Sequence, residues 1–283
     1  MERSTRRPKR AGAVLALGLA ALLALLPAGS ATAAATKQDV YLALGNSLAV
    51  GVGATKPERL GYVPRLFHEV RPNLKVRRLV NLARSGETSA TFIAGGQLAG
   101  AVAAIADPTN EVRLVTLDIG GNDLLALLVA PGSPCVADPR GALCRQAMAL
   151  ALAQFIPNYT TSLATLRQAL EAQPGAERLA VMTYYNPWSG TGSPYEAAVD
   201  VALLGGDRTV DCAAAAADPA NAGLNDLIAC IGRRYGATVV DVYPLFVGRG
   251  PTLTHVAAGD IHPTDAGHLV IAGAFQRALE SAA

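Results

Sequence analysis

Aromatic side chains are scarce, at 5% of the 283 residues with a single tryptophan, so the chain has little with which to stack bases or line a long sugar groove. Charge is sparse as well, at 16%, and no basic stripe marks a nucleic-acid partner. The formal charge of +2 misleads. The first 33 residues hold five basic side chains (Arg3, Arg6, Arg7, Lys9, Arg10) and one acidic (Glu2), which leaves 19 basic against 21 acidic beyond them, a net of −2. Internal repeats and linkers of disordered composition are missing, and 51% of the residues are apolar. Disorder and a collagen-like fold are thereby excluded. The Gly-rich stretch GNSLAVGVGA at 45–54 has neither the G-x-G-x-x-G order nor a Walker lysine, so it does not read as a dinucleotide or phosphate cradle.

One long apolar run is present. Residues 11–27 (AGAVLALGLAALLALLP) follow a basic start and precede the small residues GSATAAA, the layout of a secretory signal. Seventeen residues reach only the short end of a membrane-spanning helix, and Ala31-Thr32-Ala33 suits cleavage. The expectation is a signal peptide over 1–33, a mature domain over 34–283, a secreted protein and no stable membrane span after cleavage. Arg6-Arg7 is a weak twin-arginine signal, because Pro8 and Lys9 follow it.

Export would put the four cysteines in an oxidising compartment, where an even number reads as structural bridges. Cys135 with Cys144 and Cys212 with Cys230 is the expected pairing, since each loop then closes locally. The spacings match no zinc knuckle, and no metal is expected.

Five short apolar or β-branched runs, at 39–44, 76–82, 113–119, 178–184 and 238–242, alternate with helical stretches. That alternation predicts a central parallel sheet of five strands with helices on both faces, a three-layer α/β/α sandwich. The clearest helix runs over 146–172, with Leu150, Ala153, Phe155, Ile156, Tyr159, Leu163, Leu166 and Leu170 on its apolar stripe and a break or kink expected at Pro157. A last helix over 265–281 is capped by Thr264 and carries Leu269, Ile271, Ala272, Phe275 and Leu279 inward. Segments 130–144 and 185–217 read as loops. In such a fold chemistry sits at the carboxyl ends of the strands, where residues near 46, 86 and 122 would meet.

Four segments stand at those places. After the first strand, Gly45-Asn46-Ser47-Leu48 would expose the Ser47 hydroxyl at a helix start, either as a nucleophile or as a plain N-cap. After the second, NLARSGETS at 81–89 includes Gly86, whose N–H can approach anything lying over the sheet. After the third, Gly120-Gly121-Asn122-Asp123 offers an amide donor and, at Asp123, an anion in a first helical turn. Near the end, GDIHPTDAGH at 259–268 carries His262 in a loop, and an imidazole is the base a serine needs near neutral pH. His68, His255 and His268 lack a comparable setting.

Together these segments resemble the SGNH hydrolases, also called GDSL esterases and lipases. The resemblance implies Ser47 as nucleophile, an oxyanion hole from the N–H groups of Ser47 and Gly86 and the Asn122 amide, and His262 as base, with no cofactor. Two departures stand out. Asn46 replaces the family's usual Asp, and the family's aspartate three residues before the histidine is Gly259 here, with Asp260 only two before. Either the Asp260 carboxylate or a backbone carbonyl near Gly259 would orient His262. The elbow G-x-S-x-G of α/β-hydrolases fits poorly, because its fifth position is Ala49 and the serine lies on the first mature strand.

The expected activity is hydrolysis of carboxylic esters of short to medium acyl chains, on a small-molecule or lipid ester, by a monomer. Residues 185–211 would shape the pocket, with Trp188 and Tyr195 foremost and Val199, Val201, Leu203 and Leu204 beside them, or would simply pack on the core. Carbohydrate deacetylation and phospholipid cleavage are alternatives within the fold. A secreted surface-binding protein without turnover is the alternative outside it.

Overall fold

Parallel strands must be joined by crossovers, and this chain places one or more helices after every strand. The computed structural model describes residues 37–130, 132–173, 178–205, 212 and 222–282. The expected leader, and most of the stretch from 206 to 221, lie outside the described residues. Strands β1 (Gln38–Gly45), β2 (Arg78–Asn81), β3 (Asn110–Asp118), β4 (Arg178–Met182) and β5 (Thr238–Val240) form one sheet. Their order is β2-β1-β3-β4-β5, and every neighbouring pair is parallel. The inner strands are apolar on both faces because helices cover both, so they read as runs and not as alternations.

The helices are α1 (Ser47–Val50), α2 (Pro57–Leu60), α3 (Tyr62–Leu74), α4 (Ser89–Ala94), α5 (Gln97–Ala106), α6 (Gly121–Val129) and α7 (Pro134–Ala137). They continue with α8 (Ala142–Glu171), α9 (Pro194–Leu204), α10 (Leu224–Arg234), α11 (Tyr243–Phe246), α12 (Gly250–Leu253) and α13 (Asp265–Ser281). Helix α3 packs on α13, where the rings of Tyr62 and Phe275 stack at 5.3 Å. Helix α8 lies between α5 and α10 in the other layer. This is the α/β/α sandwich that the alternation of runs predicts. Among the described residues no helix is long and apolar enough to cross a membrane.

Several local expectations are corrected. Helix α8 runs unbroken through Pro157 for 30 residues. The proline lies on the exposed side, so the Ala153 carbonyl that loses its partner can turn to water, while buried Phe155 and Tyr159 hold the line on the core side. Leu150 is 65% exposed, and the buried stripe passes through Met148 and Leu152 instead. Leu269 is 55% exposed, because α13 turns His268 inward, where its ring is paired. The segment 185–217, expected as loop, contains α9. Its start carries a Ser193 cap on the Tyr195 N–H, Pro194 in the first turn and Glu196 behind it, signals that outweigh the surrounding glycines. The segment 130–144 likewise contains α7, capped by Ser133. Cys135 bonds Cys144, and Cys212 bonds Cys230.

Candidate active site

Sheet order reverses between β1 and β3, since β2 lies to one side of β1 and β3 to the other. A crevice opens at such a reversal above the carboxyl ends of the strands. Gly45 closes β1 in register with Asp118, which closes β3. At φ +144° a Cβ on Gly45 would lie 1.7 Å from Asp118 Oδ1, so only glycine lets the two strand ends meet. Asn46 then turns the chain. Its Oδ1 accepts the Leu48 N–H at 3.0 Å, its Nδ2 donates to the Tyr184 hydroxyl at 2.7 Å, and its own N–H donates to Asp118 Oδ1 at 2.7 Å. The cap of α1 is therefore Asn46, and Ser47 is freed from capping.

The loop carrying His262 reaches Ser47 from the far end of the chain. Nε2 of His262 lies 3.0 Å from Ser47 Oγ, and Nδ1 lies 2.5 Å from Asp260 Oδ1. The same Oδ1 accepts the His262 backbone N–H at 3.0 Å. Asp260 thus folds over its own backbone two residues on, an Asx turn, and Gly259 at φ +79° aims the chain into it. Of the two arrangements considered for orienting His262, the carboxylate one is found. Burial alone would raise the Asp260 pKa, but the backbone and ring N–H of His262 and the charges of His262 and His255 outweigh it and hold the carboxyl below its ordinary value. With Nδ1–H given to a carboxylate, Nε2 carries the lone pair that faces the serine.

The histidine loop is seated on the turn after α1. Gly53 is essential there, for a Cβ would meet the Pro263 carbonyl oxygen at 2.3 Å and His262 Cβ at 2.9 Å. His255 Nε2 bonds the Gly53 carbonyl at 2.8 Å, and the His255 N–H donates to the His262 carbonyl at 3.0 Å. Asp265 accepts from both N–H and hydroxyl of Thr55, and the Tyr185 hydroxyl donates to the Ile261 carbonyl. Beneath, His268 accepts the Tyr62 N–H at Nδ1 and bonds the Val52 carbonyl through Nε2. Burial pushes its pKa down to about 4, so it is a neutral strut.

Two further loops close the crevice. Gly86 takes φ +80° in the exposed turn after β2, with open space where a Cβ would be, so the glycine is there for its conformation. The Asn122 Nδ2 donates to the carbonyl of Glu87, next to Gly86, at 2.9 Å, and its second amide hydrogen has no partner among the described residues. Asn122 lies within the first turn of α6, behind Gly120 as cap, and Asp123 follows it there. Asp123 accepts the N–H and hydroxyl of Ser89, while burial raises its pKa against those bonds. Gln97, buried, brackets Gly45 at both N–H and carbonyl and reaches Glu87 Oε2 at 2.7 Å. The serine, glycine and asparagine loops are thereby bolted to one another.

Beside Ser47 and His262 opens a cavity of about 80 Å³. Its walls are apolar: Leu124, Leu125 and Leu128 from α6, Val199 and Leu203 from α9, and Leu224 from α10. Trp188 lines it, and Tyr195 stacks on Trp188 at 5.2 Å without reaching the cavity. Val201 and Leu204 are not part of its lining. The sequence reading placed a helix start at Asp123 but did not assign α6 or the Tyr184-Tyr185 pair to the pocket. The run LLALLV directly after GGND, and two phenols at the exit of the fourth strand, were the signals.

A strand-exit serine in hydrogen-bond reach of an imidazole that a carboxylate orients, in a three-layer fold with parallel strands, defines a serine-hydrolase class of site. The model of the GDSL-like lipase/acylhydrolase family matches residues 43–270. This chain belongs to that family and is a carboxylic ester hydrolase. Among solved structures it is similar to a lipase from a goat rumen metagenome at 19% identity, covering 85% of this chain and 97% of that one, with a TM-score of 0.57. It is also similar to a variant of an acetyl-xylooligosaccharide esterase from Geobacillus stearothermophilus at 17% identity, covering 87% and 96%, with a TM-score of 0.54. At such identities these two support the fold alone. No curated protein matches the chain.

Proposed function

We propose that this chain is an exported esterase or lipase for carboxylic esters of short to medium acyl chains, working through an acyl-enzyme on Ser47. The observation that carries the reading is the continuous chain Asp260 Oδ1, His262 Nδ1, His262 Nε2, Ser47 Oγ, at 2.5 and 3.0 Å, at the mouth of an apolar cavity. Ser47 Oγ attacks the ester carbonyl while His262 Nε2 takes its proton. The oxyanion is held by the N–H groups of Ser47 and Gly86 and the free hydrogen of the Asn122 amide. As the tetrahedral adduct collapses, His262 gives the proton to the leaving alcohol. Water, deprotonated by the same ring, then releases the acid and returns Ser47. Asp260, held ionised, fixes the tautomer and faces the imidazolium that forms at each step.

Leucine and valine walls favour an alkyl acyl group over a sugar ring, which needs hydrogen-bonding partners on its hydroxyls. Export rests on the leader at 1–33 and is compatible with the two disulfides. A panel of p-nitrophenyl esters tests the acyl assignment: kcat/KM should peak between about C4 and C8, gaining roughly 0.8 kcal/mol of transition-state binding per methylene buried. Highest activity on acetyl esters, with acetylated xylooligosaccharide preferred, would instead support the deacetylase reading that the relative with that activity suggests.

A further inference from the structure

Asp118 takes no part in the chain of groups above, yet it lies directly beneath the nucleophile turn and is wholly buried. Its Oδ1 accepts the Asn46 N–H at 2.7 Å, its Oδ2 accepts the Tyr62 hydroxyl at 2.8 Å, and the Gly45 backbone is laid against it. We propose that Asp118 is the positioning residue of this active site: its carboxyl clamps the exit of β1 to that of β3 and so fixes Ser47 opposite His262. The inference rests on the esterase reading of the same site.

The groups facing Asp118 are phenols. Tyr41 comes from β1, Tyr62 from α3, Tyr159 from α8, and Tyr184 and Tyr185 from the exit of β4. All five are buried and pushed above the ordinary tyrosine range, by burial first, with the Asp118 charge adding to it after the Asp260 charge at Tyr185 and against the Thr116 bond at Tyr41, so none supplies a charge. Thr116 occupies the Tyr41 hydroxyl at 2.9 Å. None of the ion pairs among the described residues includes Asp118. Burial, opposed by the Asn46, Tyr62 and Ala49 bonds, raises its pKa to about 8. At neutral pH the group is therefore mostly the acid.

That protonation suits the chemistry. An ionised carboxylate bonded to the residue before Ser47, with no ion-pair partner among the described residues, would oppose the negative charge of the tetrahedral intermediate in a low-dielectric site. The departure at position 46 fits the same logic. An aspartate there would bring a second carboxyl beside the first, and the Nδ2 donor that holds Tyr184 would be lost.

Two substitutions test the inference. Asp118→Asn keeps an acceptor for the Asn46 N–H and cannot ionise; Asp118→Ala removes the clamp. On p-nitrophenyl butyrate, Asp118→Ala should lower kcat roughly 10- to 100-fold with KM little changed, since misplacing reacting groups by about 1 Å can cost 10²-fold. Asp118→Asn should hold kcat within about threefold at pH 7 and lose the wild-type decline near pH 8 that ionisation of a group with pKa about 8 produces. Thermal unfolding gives a readout that needs no turnover. The folded pKa lies above the ordinary carboxylate value of 3.8, so stability is full below about pH 4 and falls until about pH 8. Wild type should lose stability relative to Asp118→Asn across that window and stay parallel to it above. Wild-type kcat in Asp118→Ala would overturn the positioning role, as would an Asn variant as impaired as the Ala variant. Parallel unfolding curves across the window would overturn the buried acid. If wild type cleaves no ester while the curves diverge as described, the esterase reading fails and the buried acid stands.

Discussion

Asn122 illustrates how single side chains divide their hydrogen bonds. One amide hydrogen is fixed on the Glu87 carbonyl, and that fixes where the other points. Asn122→Ala should lower kcat by roughly 10² to 10³ with the fold intact, the typical loss of one oxyanion donor. Steady-state kinetics at saturating ester, with circular dichroism as a check on folding, measures it, and an unchanged kcat would remove Asn122 from the proposed hole. Ser47, Gly86 and Asn122 were legible as candidates because each lies in a short local pattern at a strand exit, and His262 because its pattern leads into the capped start of the last helix. Asp118 was not, because an aspartate ending an apolar strand has no local signature. Its surroundings come from β1, α3, α8 and the exit of β4, far apart in the chain. Asp260 was half legible: its offset from His262 left two arrangements, and the Asx turn that decides between them depends on the left-handed Gly259.

Elements follow their own signals where packing agrees with them. The inner strands β1, β3 and β4 were readable as apolar runs because burial on both faces leaves no alternation to confuse the pattern. Helix α8 continues past Pro157 without the expected break because a local rule about a missing N–H ignores which face the proline occupies. Helix α9 was hidden in a Gly-rich segment although Ser193, Pro194 and Glu196 announced it. Its consequence is for the pocket, since Val199 and Leu203 line the apolar cavity beside Ser47 together with leucines of α6. The bond between Cys135 and Cys144, nine residues apart, ties α7 to α8 next to that wall. Replacing both cysteines by serine should reduce unfolding free energy by about 2 to 3 kcal/mol, the loop-closure value for a ring of this size. Urea unfolding at neutral pH reads the change, and a stability equal to wild type would mean the bridge adds nothing to what helix packing already holds.

At the scale of the whole molecule, the order of the strands matters more than any one of them. Because β1 and β3 are neighbours at the point of reversal, the turns that leave them share one crevice, and α13 returns the chain's last loop to the same place. Gly53 and the Asp265 bonds to Thr55 hold that loop down. The sheet thus supplies a platform, and an apolar cavity lined from α6, α9 and α10 lies beside Ser47, where the proposed acyl chain would sit. The central claim is that Ser47 is a nucleophile made reactive by His262. Treatment with a fluorophosphonate probe, followed by digestion and peptide mass spectrometry, addresses it without assuming a substrate. The expected result is one phosphonyl adduct, on Ser47, absent in Ser47→Ala and strongly slowed in His262→Ala. An unlabelled wild type, or an adduct on another residue with Ser47 untouched, would contradict it.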